Sequence, residues 1–354
     1  MRKLLSFSAI VLSAAFLTTG CGSSQEATTE QPKEQPQSQQ QAPQQPEKAA
    51  GSQEKIEFGF GHVMPMDHPE HLAAQKFAEI LDQKTSGRIK VNVYPAAQMG
   101  GSRELMTSVM NGSIEMVSTS TFGTVDQQQL TLSLPYLFKD FDHVSKFVES
   151  DISNQLLSRL DSQGVHGMGY WMVGFRNVGN SKHPIKTPED MKGLLLRVYE
   201  DEMLKDTIAA LGANATVMPV TEVYTALQTG TIDGEENPYA ITYTQKFFEG
   251  YKYKTETRHL NNFEVVAANL NWWNSLAKED QELINGAYKE ATVYYNQLQK
   301  EADEKYKQSL LDAGMEITEI TDYEPWIKAV QPVYDKWEKT LGADLIKSIK
   351  ELGW

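Results

Sequence analysis

From Ile56 onwards the hydrophobic pattern switches between a period of two and a helical period, and that alternation limits the folds open to the chain. Ile56-Glu57-Phe58-Gly59-Phe60 alternates like a strand and runs into a loop holding His62, Asp67, His68 and Pro69. Leu72, Phe77, Ile80 and Leu81 then recur at helical spacing, with Gly87 beyond them. Ile89–Tyr94 reads as a strand, Ser102–Val109 as a helix closed by Gly112, and Ile114–Val117 as a strand. Strand, helix, strand, helix, strand is the order of an open α/β sheet.

The middle of the chain repeats this order. Val165–Phe175 is a Gly-punctuated strand, and Thr187-Pro188-Glu189-Asp190 is a helix start with its cap, proline and acids in place. Leu194–Val198 is a buried-type strand, followed by a helix through Leu204 and Leu211 to Gly212. Thr221 is expected to cap a short helix ending before Gly230, and Phe263–Ala268 to form another strand. From Lys278 to Ala313 a single helical period runs almost without Gly or Pro, a length of roughly 54 Å at 1.5 Å per residue. Such a helix suits a bridge along the backs of two lobes. Its apolar positions keep no clean heptad, which sets a coiled coil second.

The first 54 residues are different. Arg2 and Lys3 precede an uncharged, largely apolar run from Leu4 to Leu17, the arrangement of a signal peptide. The run ends in Leu17-Thr18-Thr19-Gly20-Cys21, which resembles a bacterial lipoprotein signal with Cys21 as the lipidated mature N-terminus. Residues 1–20 would then be removed. Residues 22–54 contain no aromatic residue and no Leu, Ile or Val, so they cannot bury enough apolar surface to offset ordering and are expected to form a disordered tether. Its reach as a flexible coil is on the order of 30 Å. After residue 54 no run of uncharged apolar residues is long enough for a membrane span.

Composition excludes several functions. Cys21 is the one cysteine in 354 residues, so intramolecular disulfides and multi-cysteine zinc sites are ruled out. A net charge of −14 argues against nucleic acid and against spreading on an anionic membrane. The nucleophile-elbow, zincin, Walker and dinucleotide-binding motifs are all missing, and no cofactor or metal is implied. His62, Asp67, His68 and His71 could be weighed as metal ligands, but loop and cap histidines are the simpler reading.

Three stretches carry information about a ligand. Gly174-Phe175-Arg176-Asn177 and Leu196-Arg197-Val198 each place an arginine at the end of an apolar strand. Ligands of open α/β sheets collect at such ends, so each guanidinium either pairs with a nearby acid or awaits an anion. Asp233-Gly234-Glu235-Glu236-Asn237-Pro238 reads as a polar turn.

These stretches occur in order with Tyr94–Gly100, Asn111–Met116, Leu134–Phe138, Thr187–Val198 and Glu222–Pro238. Together they resemble the DctP-type substrate-binding proteins of TRAP (tripartite ATP-independent periplasmic) transporters over about residues 55–350. The resemblance implies a two-lobed α/β fold of the periplasmic-binding-protein kind, with hinge strands and a long connecting helix. Lobe I would comprise residues 55–173 plus 263–303, and lobe II residues 174–262 plus 304–354.

It also implies a carboxylate ligand held by a bidentate salt bridge from Arg197, assisted by Arg176. Asn237 of the Glu-Asn-Pro turn would orient that pair, with Glu236 beside it; Glu235 stands where the family usually has Gln. Aligned cleft positions include Gly61, His62, Ser120, Thr121, Glu200, Val220 and Glu264. Val220 and Ser120 replace residues of sialic-acid binders. Glu200 and Glu264 suit hydroxyl groups, which favours a sugar acid over a C4-dicarboxylate. The implied partners are a small and a large integral membrane subunit, with the receptor anchored by lipid on the outer face of the cytoplasmic membrane or in the periplasm. The rivals are a receptor of an ATP-driven importer and an extracellular enzyme acting on acidic sugars.

Overall fold

The computed structural model describes residues 54–353. The signal segment, Cys21 and the tether as far as Gln53 lie outside the described residues. Eleven strands form two sheets: β1 (Ile56–Gly61), β2 (Ile89–Tyr94), β3 (Met116–Thr119), β4 (Val165–Phe175), β5 (Asn177–Asn180), β6 (Leu195–Val198), β7 (Asn214–Val217), β8 (Gly234–Asn237), β9 (Tyr253–Thr255), β10 (Asn261–Asn269) and β11 (Glu316–Thr318). The first sheet has the order β2-β1-β3-β10-β4, with β1 parallel to β2 and β3, and β10 antiparallel to β3 and β4. The second has the order β11-β9-β5-β8-β6-β7, with β6 parallel to β7 and β8.

The chain crosses between the sheets three times, the last time through the helices between β10 and β11, and the first two crossings lie side by side. β4 passes into β5 through Arg176 alone, and β9 returns to β10 through residues 256–260. The Arg176 amide donates to the Leu260 carbonyl at 2.9 Å, tying the two crossings together.

Helices cover the sheets: α1 (Pro69–Thr85), α2 (Ser102–Asn111), α3 (Phe141–Val148), α4 (Asp151–Ser158), α5 (Glu202–Ala210), α6 (Val220–Gln228), α7 (Tyr239–Thr244), α8 (Leu270–Ser275), α9 (Lys278–Asp312), α10 (Glu324–Ala329), α11 (Gln331–Leu341) and α12 (Ala343–Lys350). The long helix is α9. Near its middle Tyr295 stacks on Trp171 of β4 at 5.1 Å, and nearer its end Tyr306 packs on Tyr243 of α7 at 5.2 Å. It therefore runs from the back of the first sheet to a helix that follows the second. The C-terminal helices return across the body: Trp337 Nε1 donates to Asp206 of α5 at 2.6 Å, and Tyr334 OH donates to the Pro135 carbonyl at 2.8 Å.

Two expectations are corrected. The helix expected to be capped by Thr221 starts at Val220 behind Pro219, whose ring cannot cap through a side chain. The stretch Gly234–Asn237 is no turn but β8, a strand inside the second sheet with every residue buried. A polar strand in that position is stable only if partners elsewhere satisfy its side chains. Glu235 accepts from Thr242 Oγ1 (3.2 Å), from Tyr251 OH and from buried Lys254 (3.4 Å), and Glu236 faces Arg176. The Thr187 signal produces one turn of 3-10 helix, Pro188–Met191.

Candidate functional site

Parallel strands end together, so the loops that follow β1, β3, β6 and β7 converge where the two sheets meet. A cavity of about 30 Å³ lies there, lined among others by Val63, Ser120, Arg176, Arg197, Asn237, Asn262 and Glu264. Ser102, Arg197, Tyr199 and Val220 also line a wider neighbouring cavity of about 250 Å³ that reaches Arg103 and Glu200.

Arg176 is buried and fully engaged. Its guanidinium forms a two-pronged pair with Glu236, with Nη2 to Oε1 at 2.7 Å and Nε to Oε2, and donates from Nη1 to Asn262 Oδ1 at 3.1 Å. Tyr199 lies under it at 4.9 Å. Burial alone would raise the Glu236 carboxyl, but the guanidinium and His259 outweigh it and hold the group at about 2. His259 itself, buried between Glu236 (3.2 Å) and Thr257 Oγ1 (2.9 Å), is pushed down by that burial despite the carboxylate.

Arg197 differs. It is 3% exposed, and its Nε donates to the Met218 carbonyl at 2.8 Å. Among the described residues it forms no salt bridge: Glu236 is taken by Arg176 and Glu235 by Lys254. Burial and then the neighbouring Arg176 charge lower Arg197 from 12.5 to about 10. The cluster thus holds three cations and two carboxylates, and the uncompensated charge is on Arg197. A guanidinium left this way offers a planar fork of donors to a carboxylate.

Six of the expected residues come together around the inner cavity: Arg197, Arg176, Asn237, Ser120, Val220 and Glu264. Glu236, His62 and Glu200 do not. Glu236 sits behind Arg176 as its counter-ion. His62 is buried, bonded through Nε2 to His71 Nδ1 (3.2 Å) and through Nδ1 to the Met64 amide (3.2 Å), so it shapes the loop after β1. Glu200 forms a two-pronged pair with Arg103 of α2, with Nε to Oε2 at 2.7 Å, at the outer cavity. His68 caps α1 by accepting from the Glu70 amide at 3.2 Å. Sequence reasoning passed over Tyr199, Asn262 and Lys254. Lys254 could have been sought, because a second acid beside Glu236 in a buried segment needs a cation.

The profile of the family described as "Bacterial extracellular solute-binding protein, family 7" (DctP) matches residues 60–340. The chain belongs to that family. A relative, the C4-dicarboxylate-binding periplasmic protein DctP of Rhodobacter capsulatus, is 34% identical over 84% of this chain and 91% of its own length. A TRAP periplasmic solute-binding protein of Polaromonas sp. JS666, solved with D-erythronate, superposes with a TM-score of 0.82 at 30% identity, over 85% of this chain and 100% of that one. Another from Shewanella oneidensis, solved with succinate, has the same TM-score, identity and coverage. DctP-family proteins are two-lobed receptors for organic acids outside the cytoplasm, and these relatives are solute-binding proteins of transport. Among the described residues no helix is long and apolar enough to cross a membrane.

Proposed function

We propose that the protein is the TRAP receptor for an organic-acid anion, and that Arg197 takes the anion's carboxylate in a bidentate salt bridge. One observation carries this reading: Arg197 is a buried guanidinium with no protein carboxylate, beside a second guanidinium that already has one. Binding an anion would supply the missing charge in a desolvated site, where a forked pair is strongest. Arg176 then acts as a fixed positive wall, with Asn237 and Asn262 beside it.

The favoured ligand is a sugar acid such as an aldonate or uronate. The remaining polar lining, Ser102, Ser120, Asn237, Asn262 and Glu264, suits hydroxyl groups, and the Polaromonas relative was solved with D-erythronate. A C4-dicarboxylate is the second reading, favoured by one feature: Glu200 is neutralised by Arg103 and no longer repels a second carboxylate.

Closure of lobe I (55–173 plus 263–303) on lobe II (174–262 plus 304–354) about the first two crossings would trap the ligand without bond chemistry. Cys21 would carry the lipid, and a small and a large integral subunit would receive the cargo. A thermal-shift screen over aldonates, uronates and C4-dicarboxylates tests the reading, since a ligand raises apparent stability by mass action. Stoichiometric binding of unmodified acid is expected. Sustained product formation, or no stabilisation by any organic acid, contradicts it.

A further inference from the structure

Beside the inner cavity lies a set of buried polar side chains that the salt bridge proposed for Arg197 does not use. Glu264 of β10 is 2% exposed and lines the cavity. In the sheet it stands opposite Trp171, which stacks on Tyr295 of α9, and Ser118 projects from the same face two positions along the neighbouring strand. Glu70, in the first turn of α1, is fully buried. Both Glu70 carboxylate oxygens, Glu264 Oε2, Ser118 Oγ and Tyr295 OH make no hydrogen bond of good geometry among the described residues, although Ser118 stands near enough to Glu70, and Ser120 to Glu264, to favour the charged form a little.

The two acids repel each other, and both act on Tyr295. The other titratable groups around them are His62, His68 and His71 on the loop and α1, Tyr288 on α9, Arg176 at the crossing and Arg197 of β6, which lines the inner cavity with Glu264. Burial keeps His62 and His68 uncharged, at about 3 each. Arg176 pulls Glu264 the other way, but Glu236 already holds it. Burial, and for Glu264 the other acid as well, pushes both carboxyls up.

Arg197 lines the same cavity as Glu264 but forms no salt bridge to either acid among the described residues, and two buried carboxylates that repel each other without a paired cation do not both ionise. We infer that Glu70 is a positioning residue whose buried carboxyl helps to keep Glu264 protonated, so that Glu264 meets the ligand as an uncharged carboxyl donating a hydrogen bond. The recognised group is then an acceptor: a hydroxyl or carbonyl oxygen of a sugar acid, or the distal carboxylate of a dicarboxylate. This rests on the organic-acid reading for the ligand, though not for the proton.

The proton is tested on the unliganded protein. The folded state keeps protons that the unfolded chain has released, so stability falls as pH rises above the ordinary carboxylate range, by about tenfold in the unfolding constant per pH unit per proton retained. Denaturant unfolding from about pH 5 to about pH 9 should show this slope in the wild type and a shallower one in Glu70→Gln and Glu264→Gln. Other raised acids, Asp201 and Asp303, are common to all three proteins and cancel in the comparison.

Infrared spectroscopy at neutral pH should show a protonated-carboxyl band in the wild type that either Gln variant diminishes. Should Glu70→Gln not fold, the wild type and Glu264→Gln decide by that band. Calorimetry with D-erythronate and with succinate should give wild-type affinity that weakens with pH and Glu264→Gln affinity that does not. Superimposable stability slopes together with no band overturn the inference. Failure of both probes to bind, with slope and band present, leaves the retained protons standing and counts against the organic-acid reading instead.

Discussion

Replacing Arg197 by Met should separate binding from stability in opposite directions. The substitution keeps the length and apolar stem of the side chain and deletes the fork. For the ligand, removal of one member of a buried, hydrogen-bonded charge pair costs about 2–5 kcal/mol, a loss of roughly 30-fold to several-thousand-fold in affinity. The upper half of that range is expected, because Arg176 cannot step in: Glu236 and Asn262 hold its guanidinium. For the unliganded protein the sign reverses. Lowering Arg197 from 12.5 to about 10 corresponds to a penalty of about 3 kcal/mol on the charged form in its buried site. Any water that reaches the group reduces the penalty, so that figure is an upper bound on the gain from its removal. The Met variant should therefore melt a few degrees higher while losing its ligand, a function-for-stability exchange common at binding sites. Arg197→Lys, which keeps charge without the planar fork, should fall between. Titration calorimetry and thermal unfolding read both effects. Unchanged affinity, or a melting point that drops by several degrees, refutes the account of Arg197 as a charge awaiting an anion.

Three further outcomes follow from the surroundings. Lys254→Met leaves Glu235 buried without its cation and should cost about 3–5 kcal/mol in denaturant unfolding, whereas adding Glu235→Gln should recover much of the loss. Arg103→Gln, which frees Glu200 at the outer cavity, should speed ligand release a few-fold at low salt with little change at high salt, as stopped-flow dissociation would record. Gly234→Ala should weaken folding by about 1–3 kcal/mol or more, because the new methyl meets the Gly179 carbonyl and the Asn180 Cα at 2.8 Å across the β5–β8 pairing; unaltered unfolding would contradict that packing.

Regular elements with a strong period were legible in the chain. Val165–Phe175 forms β4 with those ends, and α9 stops one residue short of the expected Ala313. Both arginines could be placed because each ends an apolar strand. What could not be read depends on partners distant in sequence. The segment Gly234–Asn237 looks like a turn because its side chains are polar, yet Arg176 lies 60 residues before Glu236 and Lys254 lies 19 residues after Glu235. Three- and four-residue strands such as β7, β9 and β11 are too short to display a period. Glu200 and Glu264 looked equivalent as acids near a cleft. Tertiary packing gives one an exposed arginine and the other a buried acid as neighbour, and no local pattern distinguishes them.

A crystal structure of the complex with whichever acid most stabilises the protein tests the central claim most directly. The account predicts the ligand carboxylate within hydrogen-bond distance of both terminal nitrogens of Arg197, with Arg176 still paired to Glu236. A carboxylate bound elsewhere, with Arg197 still bonded only to the Met218 carbonyl, would contradict it.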